Sequence, residues 1–224
     1  MRRIAACAAA SLLLSCAPAS AQDASDIFRV GLEAGLSFTN LDGLGDSDRL
    51  NRVVFGVVGD WKYSEHVHFG AALLPLAGRG ADGLAPVPTG DSTIDAQIPG
   101  STMKRSLDYF EIPLLVRWAP ERDLGFRVGV GPSLGVITRA TDRYACVSPS
   151  GTHYQIERSI TNQLTGVDLG FSLEAEWRFP QAAIALRFTR GHTDVSQNGS
   201  PDESHSRALT ATGRMYFGKQ PASP

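Results

Sequence analysis

The chain has 224 residues, 42% hydrophobic and 20% charged, with a formal net charge of −2. That length suits one domain, and without basic runs or an acidic tail nothing points to a nucleic-acid partner. A membrane protein built of helices needs long, purely apolar spans, whereas a transmembrane barrel alternates apolar and polar residues and keeps an ordinary composition.

The chain opens with Arg2 and Arg3, an apolar run over residues 4–14, and then Ala19, Ser20 and Ala21. This is the order of a secretory signal peptide, residues 1–21, with cleavage expected before Gln22 and residues 22–224 forming the mature domain. A competing site, Leu13-Leu14-Ser15-Cys16, would instead make Cys16 a lipid anchor. Removing the two positive charges of Arg2 and Arg3 takes the formal charge from −2 to −4. Cys7 and Cys16 lie in the leader, so Cys146 is alone in the mature chain and reads as a loop thiol.

The mature chain carries about eight segments of period-two alternation, the pattern of strands with two different faces. Residues 28–38 set Val30, Leu32 and Leu36 against Arg29, Gly31, Glu33 and Ser37. Residues 108–118 set Phe110, Ile112, Leu114, Val116 and Trp118 against Tyr109, Glu111, Pro113, Leu115 and Arg117. Residues 124–136 and 167–179 repeat the split, the latter with Val167, Leu169, Phe171, Leu173, Ala175, Trp177 and Phe179 opposite Asp168, Gly170, Ser172, Glu174, Glu176 and Arg178. Weaker versions cover residues 53–63, 67–76, 182–189 and 208–217.

Short turns at 64–65, 120–123 and 180–181 alternate with long polar stretches at 40–49, 79–104, 139–159 and 192–204. Outer-membrane barrels have this asymmetry of tight periplasmic turns and longer external loops. Trp61, Trp118 and Trp177 all fall on apolar faces near short turns, with Tyr63, Phe179 and Phe217 at the same level, which predicts a periplasmic aromatic girdle. The fold expected is all-β: an eight-stranded, antiparallel, up-and-down transmembrane β-barrel in the outer membrane. A soluble lipocalin-like periplasmic barrel would put its charged face in water and use lysine there, yet the chain has only Lys62, Lys104 and Lys219.

Residues Asp108-Tyr109-Phe110-Glu111-Ile112-Pro113-Leu114-Leu115-Val116-Arg117-Trp118 resemble a strand of the outer membrane protein β-barrel family, the small porin-like or PorT-like barrels. Gly129-Val130-Gly131-Pro132-Ser133 is similar to the glycine-rich strand that follows it. Residues Arg187-Phe188-Thr189-Arg190-Gly191-His192-Thr193-Asp194 are similar to a late strand, with His192 where leucine is usual. The resemblance implies a structural scaffold and carries no chemistry. It also implies that the last strand, ending near Phe217, is read by the barrel-insertion machinery, although residues 218–224 extend beyond it.

Inward positions would carry Arg29, Lys62, Arg117, Arg127, Arg178, Arg187 and Arg214 with Glu33, Asp60, Glu111, Asp168, Glu174 and Glu176. Eight strands enclose only enough room for side chains, so a salt-bridged lumen with Glu111 and Arg117 in its network is expected, and Pro113 is expected to mark a bulge or weakened pairing. The protein then reads as non-enzymatic, in a structural or surface-recognition role, with outer-membrane lipid and lipopolysaccharide as surroundings and stretch 79–104 as a mobile loop. A narrow channel for small solutes is the alternative, and a lipid-modifying enzyme a further one. For an enzyme, His192, Asp194 and Ser196, or Ser204, His205 and Ser206, would be the candidates, yet their spacing specifies no catalytic set. His66 and His68 straddle a turn and His153 sits in a loop, so no catalytic, cofactor or metal residue is assigned.

Overall fold

The computed structural model describes residues 28–42, 48–87, 92–121, 124–148, 151–164, 166–193 and 205–217. The leader with Cys7, Cys16 and the cleavage site, Asp194, Ser196, Ser204 and residues 218–224 lie outside them.

Among the described residues nine strands follow in chain order: β1 (Phe28–Asp42), β2 (Asp48–Lys62), β3 (Val67–Leu84), β4 (Thr102–Trp118), β5 (Gly125–Val147), β6 (His153–Ser159), β7 (Val167–Arg178), β8 (Ala182–Gly191) and β9 (His205–Phe217). A short helix, α1 (Ser92–Asp95), precedes β4. Eight strands close a ring in the order β1-β2-β3-β4-β5-β7-β8-β9, with β9 returning to β1, every pairing antiparallel. Closure satisfies every inner edge, which is what allows strands to cross a bilayer. The ninth strand, β6, lies outside the ring and pairs with the far half of β5, from Thr141↔Ser159 to Val147↔His153.

The faces agree with the alternation. Leu169, Phe171, Leu173 and Trp177 point outward and are exposed, while Asp168, Ser172, Glu174, Glu176 and Arg178 on the same strand are buried. The strands reverse tightly after Lys62, Trp118 and Arg178, where the short turns were expected. Trp61, Trp118 and Trp177 are each about half exposed beside those turns, joined by Tyr63, Phe179 and Phe217 on the outer surface. Trp61 and Tyr63 both meet Phe69, tilted and edge-on respectively, at 5.8 and 5.6 Å between ring centroids.

Three expectations need correction. Stretches 79–104 and 139–159 are not loose polar loops: β3 runs on to Leu84, β4 begins at Thr102, and β5 and β6 form a long hairpin. Together these form a sheet projecting beyond the rest of the ring, with Ala81, Leu84, Ile98, Met103, Leu107, Ala140, Tyr144, Cys146, Ile160 and Leu164 buried beneath it. Cys146 is accordingly 2% exposed, a core side chain and not a loop thiol. Pro113 stands in unshifted register opposite Ser133, so no bulge falls there, but its pairing on the β3 side is interrupted, the register running from Ala71↔Leu114 to Leu74↔Glu111 with no β3 partner for Ile112 or Pro113. The register shifts fall elsewhere, at Pro75-Leu76 and Asp82-Gly83 on β3, between Arg49 and Val54 on β2, and at Thr138 on β5. At each bulge two residues of one strand oppose one of its neighbour, so the inward parity changes. On β3 the inward residues are His68, Ala72 and Leu74 before the bulge but Ala77, Arg79 and Ala81 after it.

Candidate functional site

The lumen holds the chemistry. Inward parity from all eight ring strands brings its arginines and carboxylates into two clusters, separated by a layer of hydroxyls.

The cluster nearer the short turns is built on Asp60 and Glu174. Asp60 accepts from Arg117 at 3.0 Å, Arg127 at 3.2 Å and Arg178 at 3.3 Å, with His68 Nδ1 at 3.5 Å. Glu174 accepts the Nε of Arg117 at 2.9 Å on one oxygen and the Nε of Arg187 at 2.9 Å on the other. Arg214 binds Glu174 and Glu176 and donates its Nε to Glu33 at 3.1 Å, while Arg187 reaches Glu33 at 3.0 Å. Arg178 lies 3.7 Å over the Tyr216 ring, a cation–π contact in a desolvated place.

Above it, Ser37 bonds to Thr210 at 3.0 Å and Ser172 to Thr189 at 2.9 Å. The second cluster follows: Arg79 donates to Glu111 at 2.8 Å and to Asp168 at 3.1 Å, and Ser133 donates to Glu111 at 2.9 Å. Ser206 accepts from Arg79 and donates to Asp168 at 2.7 Å, and Arg79 lies 4.7 Å over the Tyr109 ring. Higher still, in the projecting sheet, Arg105 makes a two-pronged pair with Asp142 at 2.8 and 2.7 Å.

Seven arginines and seven carboxylates are thus buried among the described residues. Each charge meets its opposite in charge-assisted bonds, the arrangement that makes burial of ions tolerable. The interior cavity between Ser37, Glu111, Arg187 and Thr210 measures only about 10 Å³, room for about one water.

Glu111 and Arg117 both belong to this network, though to different clusters, and Arg29 and Lys62 are only half buried at the short-turn rim. Arg79 and Asp142 are network members that alternation alone missed, because each lies past a bulge and in a stretch read as loop, while Arg105 keeps the parity of Glu111 and Arg117 and lies just before the segment read as a strand. A proline inside an apolar strand, Pro75, was the available signal, since proline in a sheet marks an edge or a bulge. Of the serine and histidine candidates, Ser206 is fully buried and tied to Arg79 and Asp168, while His192 is exposed. His66 and His68 part company: His66 bonds to the Ala119 carbonyl at 3.0 Å and His68 is buried against Asp60. His153 is exposed at the start of β6.

On the outside of the projecting sheet, Arg52, Lys104, Asp108, Arg139, Arg143 and Glu157 line an open groove of about 340 Å³. The hydrogen bond from Arg143 holds the Glu157 carboxyl below its usual range.

A closed antiparallel ring, apolar outward and ion-paired inward, defines an integral β-barrel of the outer membrane. The chain belongs to the outer membrane protein beta-barrel domain family, whose profile matches residues 20–197. Among solved structures, Ail, the attachment invasion locus protein of Yersinia pestis, superposes with a TM-score of 0.44 at 8% identity, covering 84% of this chain and 98% of Ail. Neisserial surface protein A gives 0.40 at 10% identity, covering 85% of this chain and 97% of its own. OprG of Pseudomonas aeruginosa gives 0.30 at 12%, covering 86% and 95%. Similarity at this level carries no information about function. No curated protein matches the chain in sequence.

Proposed function

We propose that the protein is a non-enzymatic surface protein of the outer membrane, whose barrel conducts no solute and whose work is done by the folded external sheet. The observation that carries this reading is the contrast between the two ends. At the short-turn end the strands reverse at once, while at the other end β3 to β6 continue beyond the barrel over a hydrophobic core of their own. A core that includes Leu84, Met103, Leu107 and Tyr144 gives the external layer a fixed shape, and rigid scaffolds that present exposed segments are where binding usually resides.

The network from Arg178 to Arg79 supports a closed lumen, because moving an ion through it would require breaking several buried pairs, each costing about 3–5 kcal/mol if one partner is left alone. In this reading the leader of residues 1–21 directs export, and the strand ending at Phe217, outward-facing and paired with Val30, is the segment offered to the insertion machinery.

The test is conductance of the mature protein reconstituted in a planar bilayer. The wild type is expected to stay silent, while trimming the network with R117S/E174S is expected to produce discrete current steps. Steady small-ion steps from the wild type would replace this reading with that of a narrow channel.

A further inference from the structure

Among the described residues β6 is the strand that lies outside the closed ring, and its pairing leaves an edge open. It bonds to β5 on one side, in an uninterrupted register from Thr141↔Ser159 to Val147↔His153, and no described strand pairs with its other side. The parity of that pairing is fixed at both ends. The Ile160 amide donates to the Ala140 carbonyl at 3.0 Å, and the Ser148 amide to the Thr152 carbonyl at 2.9 Å. Exchange with β5 therefore falls on Tyr154, Ile156 and Arg158, while the N–H and C=O groups of His153, Gln155, Glu157 and Ser159 point away from β5. The edge is held in place, because Tyr154 and Ile156 pack against the hydrophobic core beneath the sheet. Natural edges are commonly blunted by lysine, proline or a bulge, and His153–Ser159 has none of the three.

An ordered, open edge fits one class of partner, another extended strand. The sequence of β6 selects a second copy of itself. Set antiparallel with Ile156 opposite Ile156, two such strands place Gln155 opposite Glu157 and His153 opposite Ser159 on the exposed face, and Tyr154 opposite Arg158 on the core face. An amide N–H donor then meets a carboxylate, a guanidinium meets an aromatic ring, and no like charges face each other. The backbone parity agrees as well, since the residues whose N–H and C=O groups are open fall opposite one another. Shifting the register one way sets Glu157 against Glu157, and shifting it the other way pairs only residues 153–157.

We propose that β6 is a self-pairing edge, through which two copies of the protein join by an antiparallel strand contact centred on Ile156. Such a contact is isologous, the same surface serving on both copies, and its twofold axis stands normal to the sheet. The strands run up the barrel wall, so this axis lies in the plane of the membrane and inverts one barrel relative to the other. The paired copies therefore belong to two apposed outer membranes, and the contact is adhesive. The inference rests on the external placement of the projecting sheet.

The experiment uses the full mature chain refolded into two vesicle populations, one biotinylated and one fluorescent, with capture of the fluorescent vesicles on streptavidin as the readout. Wild-type vesicles are expected to be captured together, and Gln155→Pro to abolish the capture. Proline there removes an N–H of the open edge and none that bonds to β5, a position where a sheet tolerates it. In the Cys146→Ala background, Ile156→Cys is expected to form a disulfide between copies from the two populations on mild oxidation, because the two side chains meet on the axis. His153→Cys, opposite Ser159 in the same register, is expected to stay monomeric. Absence of capture by the wild type, capture retained by Gln155→Pro, or equal cross-linking at positions 153 and 156 overturns the proposal. A wild type that does not self-pair but binds a synthetic peptide of residues 153–159 overturns it in favour of a strand from a different protein. Each variant is first shown to migrate faster unboiled than boiled, and if Gln155→Pro fails that check the cross-linking decides. The external placement has its own readout. The thiol of His153→Cys is expected to react with a membrane-impermeant maleimide on intact cells, and failure there sinks the placement of the sheet, a result separate from pairing between refolded copies.

Discussion

Arg117 on β4 and Glu174 on β7 meet across the lumen at 2.9 Å although a whole strand separates them. The residue between them in register is Gly129 of β5. A Cβ there would stand 3.0 Å from the Arg117 Cγ and 3.7 Å from the Glu174 Cβ. The missing side chain is what lets the two charged ones converge over β5, and Arg117 then reaches on to Asp60 of β2. β2, β4 and β7 are thereby joined through one guanidinium.

Glu174 is the node of this arrangement, since Arg117, Arg187 and Arg214 all bind it. Glu174→Ala leaves three buried guanidinium groups short of counter-charge and is expected to cost about 3–5 kcal/mol. The urea midpoint of the refolded barrel in lipid vesicles, read by the loss of fast unboiled migration, measures this. A midpoint equal to wild type would show that the cluster contributes nothing to stability.

Gly70 on β3 provides the other half of the space for Arg117, because a Cβ added there would run into its guanidinium. Gly70→Leu is therefore expected to displace Arg117 from Asp60 and to destabilise the barrel by about 1–3 kcal/mol, the usual range for overpacking. Gly59, whose added Cβ would make only ordinary contacts with the Phe28 ring at 3.5 Å and the Ala71 carbonyl at 3.9 Å, is the comparison site: Gly59→Ala is expected to be close to neutral in the same urea titration.

The projecting sheet is held by the buried pair Arg105–Asp142 beside Cys146. Asp142→Ala is expected to loosen this layer while the membrane-embedded ring persists. Maleimide labelling of Cys146 reads the two parts separately. The wild-type thiol is expected to label only after boiling, and the variant thiol to label in the unboiled, fast-migrating form. Rapid labelling of the unboiled wild type would contradict the burial of Cys146.

Trp61, Trp118 and Trp177 should lie at one depth in the bilayer. In vesicles of lipids brominated at successive acyl positions, single-tryptophan versions of the protein are expected to be quenched most by the same shallow bromine. Different optimal positions for the three would break the girdle.

The alternation of residues 108–118, 124–136 and 167–179 was enough to determine which side chains face lipid and which face the lumen, because a strand places successive side chains on opposite sides. From that followed the barrel and the near balance of charge inside. Alternation stops being readable at a bulge. One extra residue at Pro75 or Thr138 inverts the parity, so Arg79, Asp142 and Cys146 looked like members of polar loops. The bulges are set by how β2, β3, β4 and β5 pair with each other, which no single segment contains.

Partner choice in the lumen was equally beyond the sequence. Parity places Glu111 and Arg117 on the same face of β4, yet Arg79 from β3 takes Glu111 while Asp60 of β2 and Glu174 of β7 take Arg117. A residue's inward direction is a local property of its strand, whereas the charge it meets depends on the stagger with which eight strands close. The sequence by itself determined the container and the two faces of its wall. Only ring closure decided which charges pair, where Gly129 and Gly70 make room for them, and that the long stretches after β3 and within the β5–β6 hairpin fold into a sheet.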